Sequence, residues 1–81
     1  MAKVLYFAAL RELVGCAEEE REIPAEVRTV RELVAYLERV RPELQGRMAS
    51  VRVALDEEFA DADASLEQAQ VIALIPPVSG G

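Results

Sequence analysis

The segment Thr29-Val30-Arg31-Glu32-Leu33-Val34-Ala35-Tyr36-Leu37-Glu38-Arg39-Val40 carries the strongest periodicity in the chain. Val30, Leu33, Val34, Leu37 and Val40 recur at three- and four-residue steps, so a helix lines them up on one apolar stripe. Thr29 and Glu32 have the Thr-x-x-Glu spacing of a capping box, which satisfies two backbone donors at a helix start. Pro42 has no N–H to continue the ladder and ends the pattern. Glu38 and Arg41 stand one turn apart and form an expected surface ion pair, worth only a few tenths of a kcal/mol. A helix with one apolar face needs a second layer to bury it.

Outward from this helix the chain reads as strands. Residues 51–55 alternate strictly, with Val51, Val53 and Leu55 on one side and Arg52 and Ala54 on the other. Asp56-Glu57 reads as a hairpin turn into a short strand at 58–60. Residues 61–70 form a polar loop with Leu66 as its inward anchor. Residues 71–75 are strongly β-prone, and Pro76-Pro77 stops them. Before the helix, residues 3–9 are β-branched and aromatic, the composition of a strand. Residues 9–14 make one short helical turn, with Gly15 at the left-handed C-cap. Residues 18–23 make a charged edge strand, stopped by Pro24. Residues 42–50 are a connection.

The order strand, strand, helix, strand, strand, strand gives an α+β domain. A mixed five-stranded sheet packs on one main helix. By analogy of fold, rather than from periodicity, a last strand placed near the first makes this a β-grasp (ubiquitin-like) sheet. The domain spans residues 1–75, and residues 76–81 form an extended C-terminal tail.

Composition narrows the function. The chain has 81 residues with nine Lys or Arg, fifteen Asp or Glu, one Cys and no His, for a formal charge of −6. Hydrophobic residues make up 52 %, too many for a disordered acidic tail. Nucleic acid is not an expected partner, because phosphate neutralisation needs clustered Lys or Arg. The longest apolar runs fall well short of the ~20 residues of a membrane helix, and no secretory signal is expected. A lone thiol fits the cytoplasm. No cofactor or metal is expected to be bound. Three consecutive carboxylates, Glu18-Glu19-Glu20, do not share a strand face and read as a solvated edge. Asp56, Glu57, Glu58, Asp61 and Asp63 lack the Gly and the twelfth-position Glu of a calcium loop. Cys16 has no His partner and reads as a small packing residue.

What remains is the end of the chain, Ile75-Pro76-Pro77-Val78-Ser79-Gly80-Gly81. The prolines hold it extended and away from the sheet. Gly80 and Gly81 have no side chains, so the end is thin enough for a narrow channel. Six extended residues reach roughly 20 Å.

At these residues the chain resembles the family of β-grasp sulfur carriers that form the small subunit of molybdopterin synthase. The resemblance rests on Lys3-Val4-Leu5-Tyr6-Phe7-Ala8, Arg11-Glu12-Leu13-Val14-Gly15, Thr29-Val30 with Leu33, and Ala73 through Gly81. It covers essentially the whole chain. Pro-Pro-Val-Ser-Gly-Gly is a specific ending, whereas Gly-Gly alone is shared with thiamine-pathway carriers and ubiquitin-like modifiers. Two departures stand out. Gln68-Ala69-Gln70 replaces the family's Asp-Gly-Asp, and a positive φ at Ala69 would be strained. Asp56 stands where Asn is frequent, and Asp tolerates the same turn.

The resemblance implies a mechanism. An E1-like adenylating enzyme consumes ATP to activate the Gly81 carboxylate, and a sulfur donor enzyme displaces AMP to leave a C-terminal thiocarboxylate. The large subunit, with two copies of each chain in a heterotetramer, holds the pterin precursor and the catalytic lysines. This chain then supplies sulfur for the dithiolene of the molybdenum cofactor, without itself being catalytic. Gly81 and Gly80 are the implied reactive end. Alternatives are a sulfur carrier of the thiamine or tungsten-cofactor pathway, a protein modifier, or a binding module with an inert tail.

Alternation along the strands predicts the docking face. Val4, Tyr6 and Ala8 point one way, and Lys3, Leu5 and Phe7 the other. Ile72 and Leu74 face the helix, and Val71, Ala73 and Ile75 face out. Phe7, Ile75 and Phe59 are then expected on the helix-free face, where the resemblance also puts partner contacts. The tail residues Pro76, Pro77, Val78 and Ser79 are expected to follow them into the partner. The −6 charge leads to the further expectation that partners present basic surfaces around the channel receiving Gly81.

Overall fold

The computed structural model describes residues 1–77. In chain order these form β1 (Ala2–Tyr6), α1 (Ala8–Val14), β2 (Glu18–Arg21), α2 (Val30–Val40), a 3-10 turn (Pro42–Leu44), β3 (Arg52–Leu55), β4 (Glu58–Ala60) and β5 (Val71–Ile75). The strands make one sheet in the order β2-β1-β5-β3-β4. β1 and β5 run parallel and the other neighbours antiparallel. The expected β-grasp architecture is thus present, with the last strand central and beside the first.

α2 starts as its sequence dictates. The Glu32 N–H donates to Thr29 Oγ1 at 3.2 Å, and the Thr29 N–H donates to Glu32 Oε1 at 3.2 Å. Leu33 and Leu37 of the stripe are wholly buried and share one core with Val4, Tyr6, Ile72 and Leu74. Each such side chain contributes roughly 1.5–3 kcal/mol of burial. Val40, the last member of the stripe, stays 39 % exposed. The expected Glu38–Arg41 pair does not form, because Arg41 turns to Glu19 and Glu43 instead.

Other differences have local causes. β1 ends at Tyr6, before the expected residue 9, because Ala8 takes φ 51 and swings the chain off the sheet. Ala8 is therefore exposed rather than turned inward with Val4 and Tyr6. α1 has seven residues, two turns rather than one, and closes at Gly15, whose φ is 91 and whose N–H donates to Arg11 O at 2.8 Å. The 42–50 connection supplies two core side chains, Leu44 and Met48. Leu66 is buried, as its loop requires.

The hairpin turn at Asp56-Glu57 has φ 48 and 75, the two positive values of a type I′ turn. Ala69 has no positive φ. The left-handed residue of that loop is Glu67, at φ 48, so replacing the family's glycine with Ala69 costs no backbone strain there. No helix among the described residues is long and apolar enough to cross a membrane.

Candidate functional site

The sheet has two faces, and α2 covers one. On the other, strand register places Glu18, Leu5, Ala73, Ala54 and Phe59 in one row across all five strands. The next row toward the end of β5 pairs Ile75 with Arg52. Phe7 continues that row just past the β1 ladder, its N–H donating to Leu74 O at 3.3 Å. Phe7 is 44 % exposed and Phe59 58 %, and Ile75 is half-buried. Phe7, Ile75 and Phe59 thus share the helix-free face. The Arg52 guanidinium lies 4.1 Å above the Phe59 ring centre, close enough for a cation–π contact.

β5 runs out of this face into Pro76 and Pro77. Half-buried Pro76 borders a shallow hollow of about 410 Å³, lined also by Ala9, Leu10, Glu12, Leu13 and Arg47. Val78, Ser79, Gly80 and Gly81 lie outside the described residues. Cys16 is half-buried and packs against the core, its expected role.

One polar cluster was not foreseen. Glu18 pairs with Lys3 at 3.5 Å on the outer face, but Glu19 points the opposite way. Its carboxylate accepts from the Tyr6 hydroxyl, from Arg41 Nε at 3.1 Å and from Arg41 Nη2. Arg21 approaches the same carboxylate at 3.5 Å. The Arg41 hydrogen bonds hold the Glu19 carboxyl down at about 2. Burial, and next the Glu19 carboxylate, push the Tyr6 hydroxyl well above the usual tyrosine range. The solvated-edge reading therefore fails for Glu19. The available signal was strand alternation together with Tyr6: an inward-facing tyrosine hydroxyl needs a partner. This cluster fastens β1 and β2 to the end of α2. Among the described residues no group of three or more His, Cys, Asp or Glu side chains is placed to hold a metal ion.

One main helix clasped by a five-stranded mixed sheet, with the other sheet face left open around Phe7 and Phe59, defines a ubiquitin-like β-grasp protein. The ThiS family model matches residues 4–81, and the chain belongs to that family. A curated relative, the molybdopterin synthase sulfur carrier subunit of Caenorhabditis briggsae, is 38 % identical over 81 residues, covering 98 % of this chain and 95 % of its own. Among solved structures, the putative molybdopterin converting factor subunit 1 from Pyrococcus furiosus is 30 % identical with a TM-score of 0.79, over 95 % of this chain and 97 % of that one. SAMP1, a small archaeal modifier protein of Haloferax volcanii, is 25 % identical with a TM-score of 0.81, over 99 % and 98 %.

Proposed function

We propose that this chain is the sulfur carrier subunit of molybdopterin synthase, delivering sulfur for dithiolene formation in the molybdenum cofactor. The observation that carries the reading is the sequence run Pro76-Pro77-Val78-Ser79-Gly80-Gly81, which follows β5 in a chain of this family whose open sheet face carries exposed Phe7 and Phe59 and half-buried Ile75. Curated relatives bearing that name match nearly the whole chain at 30 to 38 % identity.

The chemistry follows from the terminus. A free carboxylate is a poor electrophile. An E1-like enzyme joins the Gly81 carboxylate to AMP, with pyrophosphate leaving, and the acyl carbon becomes open to attack. Sulfide-level sulfur released by a donor enzyme attacks that carbon, the C–O bond to AMP breaks, and AMP departs to give a thiocarboxylate on Gly81. Its sulfur is nucleophilic and travels on a thin tail into the large subunit, which holds the pterin. The carrier then needs recognition surfaces rather than a catalytic pocket. Phe7, Phe59 and Ile75 supply the apolar seat, and the residues from Pro76 to Ser79 hold the tail in the channel. Successive docking with the activating enzyme and the synthase takes place in the cytoplasm.

Deleting Gly80-Gly81 tests the reading. The truncated chain is expected to fold normally and to support no dithiolene formation with the large subunit. Dithiolene formation by the truncated chain would sink the proposal. A second reading, a protein modifier, is favoured by the likeness to SAMP1. Intact-mass analysis of cellular conjugates separates the two, because a modifier leaves Gly81 joined to a target lysine.

A further inference from the structure

The −6 net charge does not describe the end from which the tail leaves. On the outer sheet face, the carboxylate of Glu18 is met by Lys3. The Asp56 carboxylate, at the far end of β5, is occupied by the N–H groups of Gln70 and Val71. Among the described residues, exposed Arg52 stands opposite Ile75, and exposed Arg47 and Glu12 line the same hollow as Pro76. Arg52 makes no ion pair among the described residues. Asp61, which would face it if the β3–β4 ladder continued, is not joined to it.

Arg52 is also held in place. Its guanidinium stacks on Phe59, whose ring is part of the docking seat. Stacking covers one plane of the guanidinium and leaves its N–H edges available, the geometry that binds a carboxylate through two parallel hydrogen bonds. An arginine already ordered on a ring loses less side-chain freedom when it binds.

We propose that Arg52 is a specificity-determining docking residue whose stacked guanidinium engages a carboxylate on the rim of the large synthase subunit. The rim is then acidic at this point, opposite to what the net charge implies. The inference rests on the sulfur-carrier reading and adds the chemistry of one partner group to it.

The test titrates the purified large subunit with the full-length chain and with Arg52→Glu and Arg52→Met, at low and high salt. Methionine keeps an apolar stem for the ring and removes the charge and donors. At low salt, Arg52→Glu is expected to weaken binding by at least about tenfold and Arg52→Met by a smaller factor, with both gaps shrinking at high salt. Thermal melts check that each variant folds, and Arg52→Met carries the test if the charge reversal does not. Folded variants that bind as well as wild type, or an Arg52→Glu chain that binds more tightly, would overturn the inference. Sulfur loading of Gly81 in the same wild-type sample separates the failures. Loading and binding without an Arg52 effect overturn this inference alone. Absence of both overturns it together with the sulfur-carrier reading.

Discussion

Glu19 takes part in four side-chain hydrogen bonds, more than any other described residue. Its carboxylate receives Tyr6, Arg41 and Arg21 at once. Arg41 lowers its pKa to about 2 in the folded protein, against about 4.3 in an unfolded chain. A lowered carboxylate pKa adds stability that is complete above the unfolded value and is lost as pH falls toward the folded one. Glu19→Gln is therefore expected to cost about 1–3 kcal/mol at neutral pH and to flatten the loss of stability between about pH 5 and 2. Urea unfolding across that range checks both. An unchanged pH slope would contradict the assignment. Asp56 makes a second prediction. Its Oδ1 alone accepts from Gln70 N at 3.0 Å and Val71 N at 2.9 Å. Asp56→Asn keeps an oxygen there and should be nearly neutral, whereas Asp56→Ala should lose about 1–3 kcal/mol in the same assay. For Glu19 the one signal in the sequence is strand alternation beside the inward-facing Tyr6 hydroxyl, and for Asp56 there is none. Arg21 is only two positions from Glu19, but Tyr6 and Arg41 stand 13 and 22 positions away, and the Asp56 partners stand 14 and 15 away, separations that only the folded sheet closes.

At the scale of elements, legibility follows how local the cause is. α2 was readable because its stripe and its Thr29–Glu32 capping box are set within a few residues. Thr29→Ala is expected to lower stability by about 1 kcal/mol, read as a fall in the melting temperature with no change in sheet content. The β3–β4 turn and Gly15 were readable for the same reason. The 42–50 connection was not. Leu44 and Met48 follow no period; Leu44 sits in a 3-10 turn packed against α1 and α2, and Met48 joins the same core. The early end of β1 was also hidden, because nothing in Ala8 announces a left-handed residue. Ala69 is the reverse case. A strain expected from a missing glycine is absent because Glu67 takes the positive φ instead.

For the whole molecule, the decisive property is two-sidedness. α2 seals one face of the sheet, and the open face carries Phe7, Ile75 and Phe59 toward the tail. Simple alternation made this face legible, because a period of two fixes which side each strand residue occupies. The stacking of Arg52 on Phe59 was not legible, since it depends on the diagonal between neighbouring strands. Phe59 is 58 % exposed, so Phe59→Ala should move the melting temperature little. The same change should weaken binding to the large subunit by more than about 1 kcal/mol, measured by titration calorimetry. Equal binding by that variant would remove the outer face from the docking account. The central claim, however, concerns Gly81. It is tested most directly by intact mass spectrometry of the full-length chain after incubation with an E1-like activating enzyme, ATP and a sulfur donor. The expected result is a mass gain equal to replacing one oxygen with sulfur, located at Gly81 and dependent on ATP. A chain that keeps its unmodified mass under conditions that load a known carrier would contradict it.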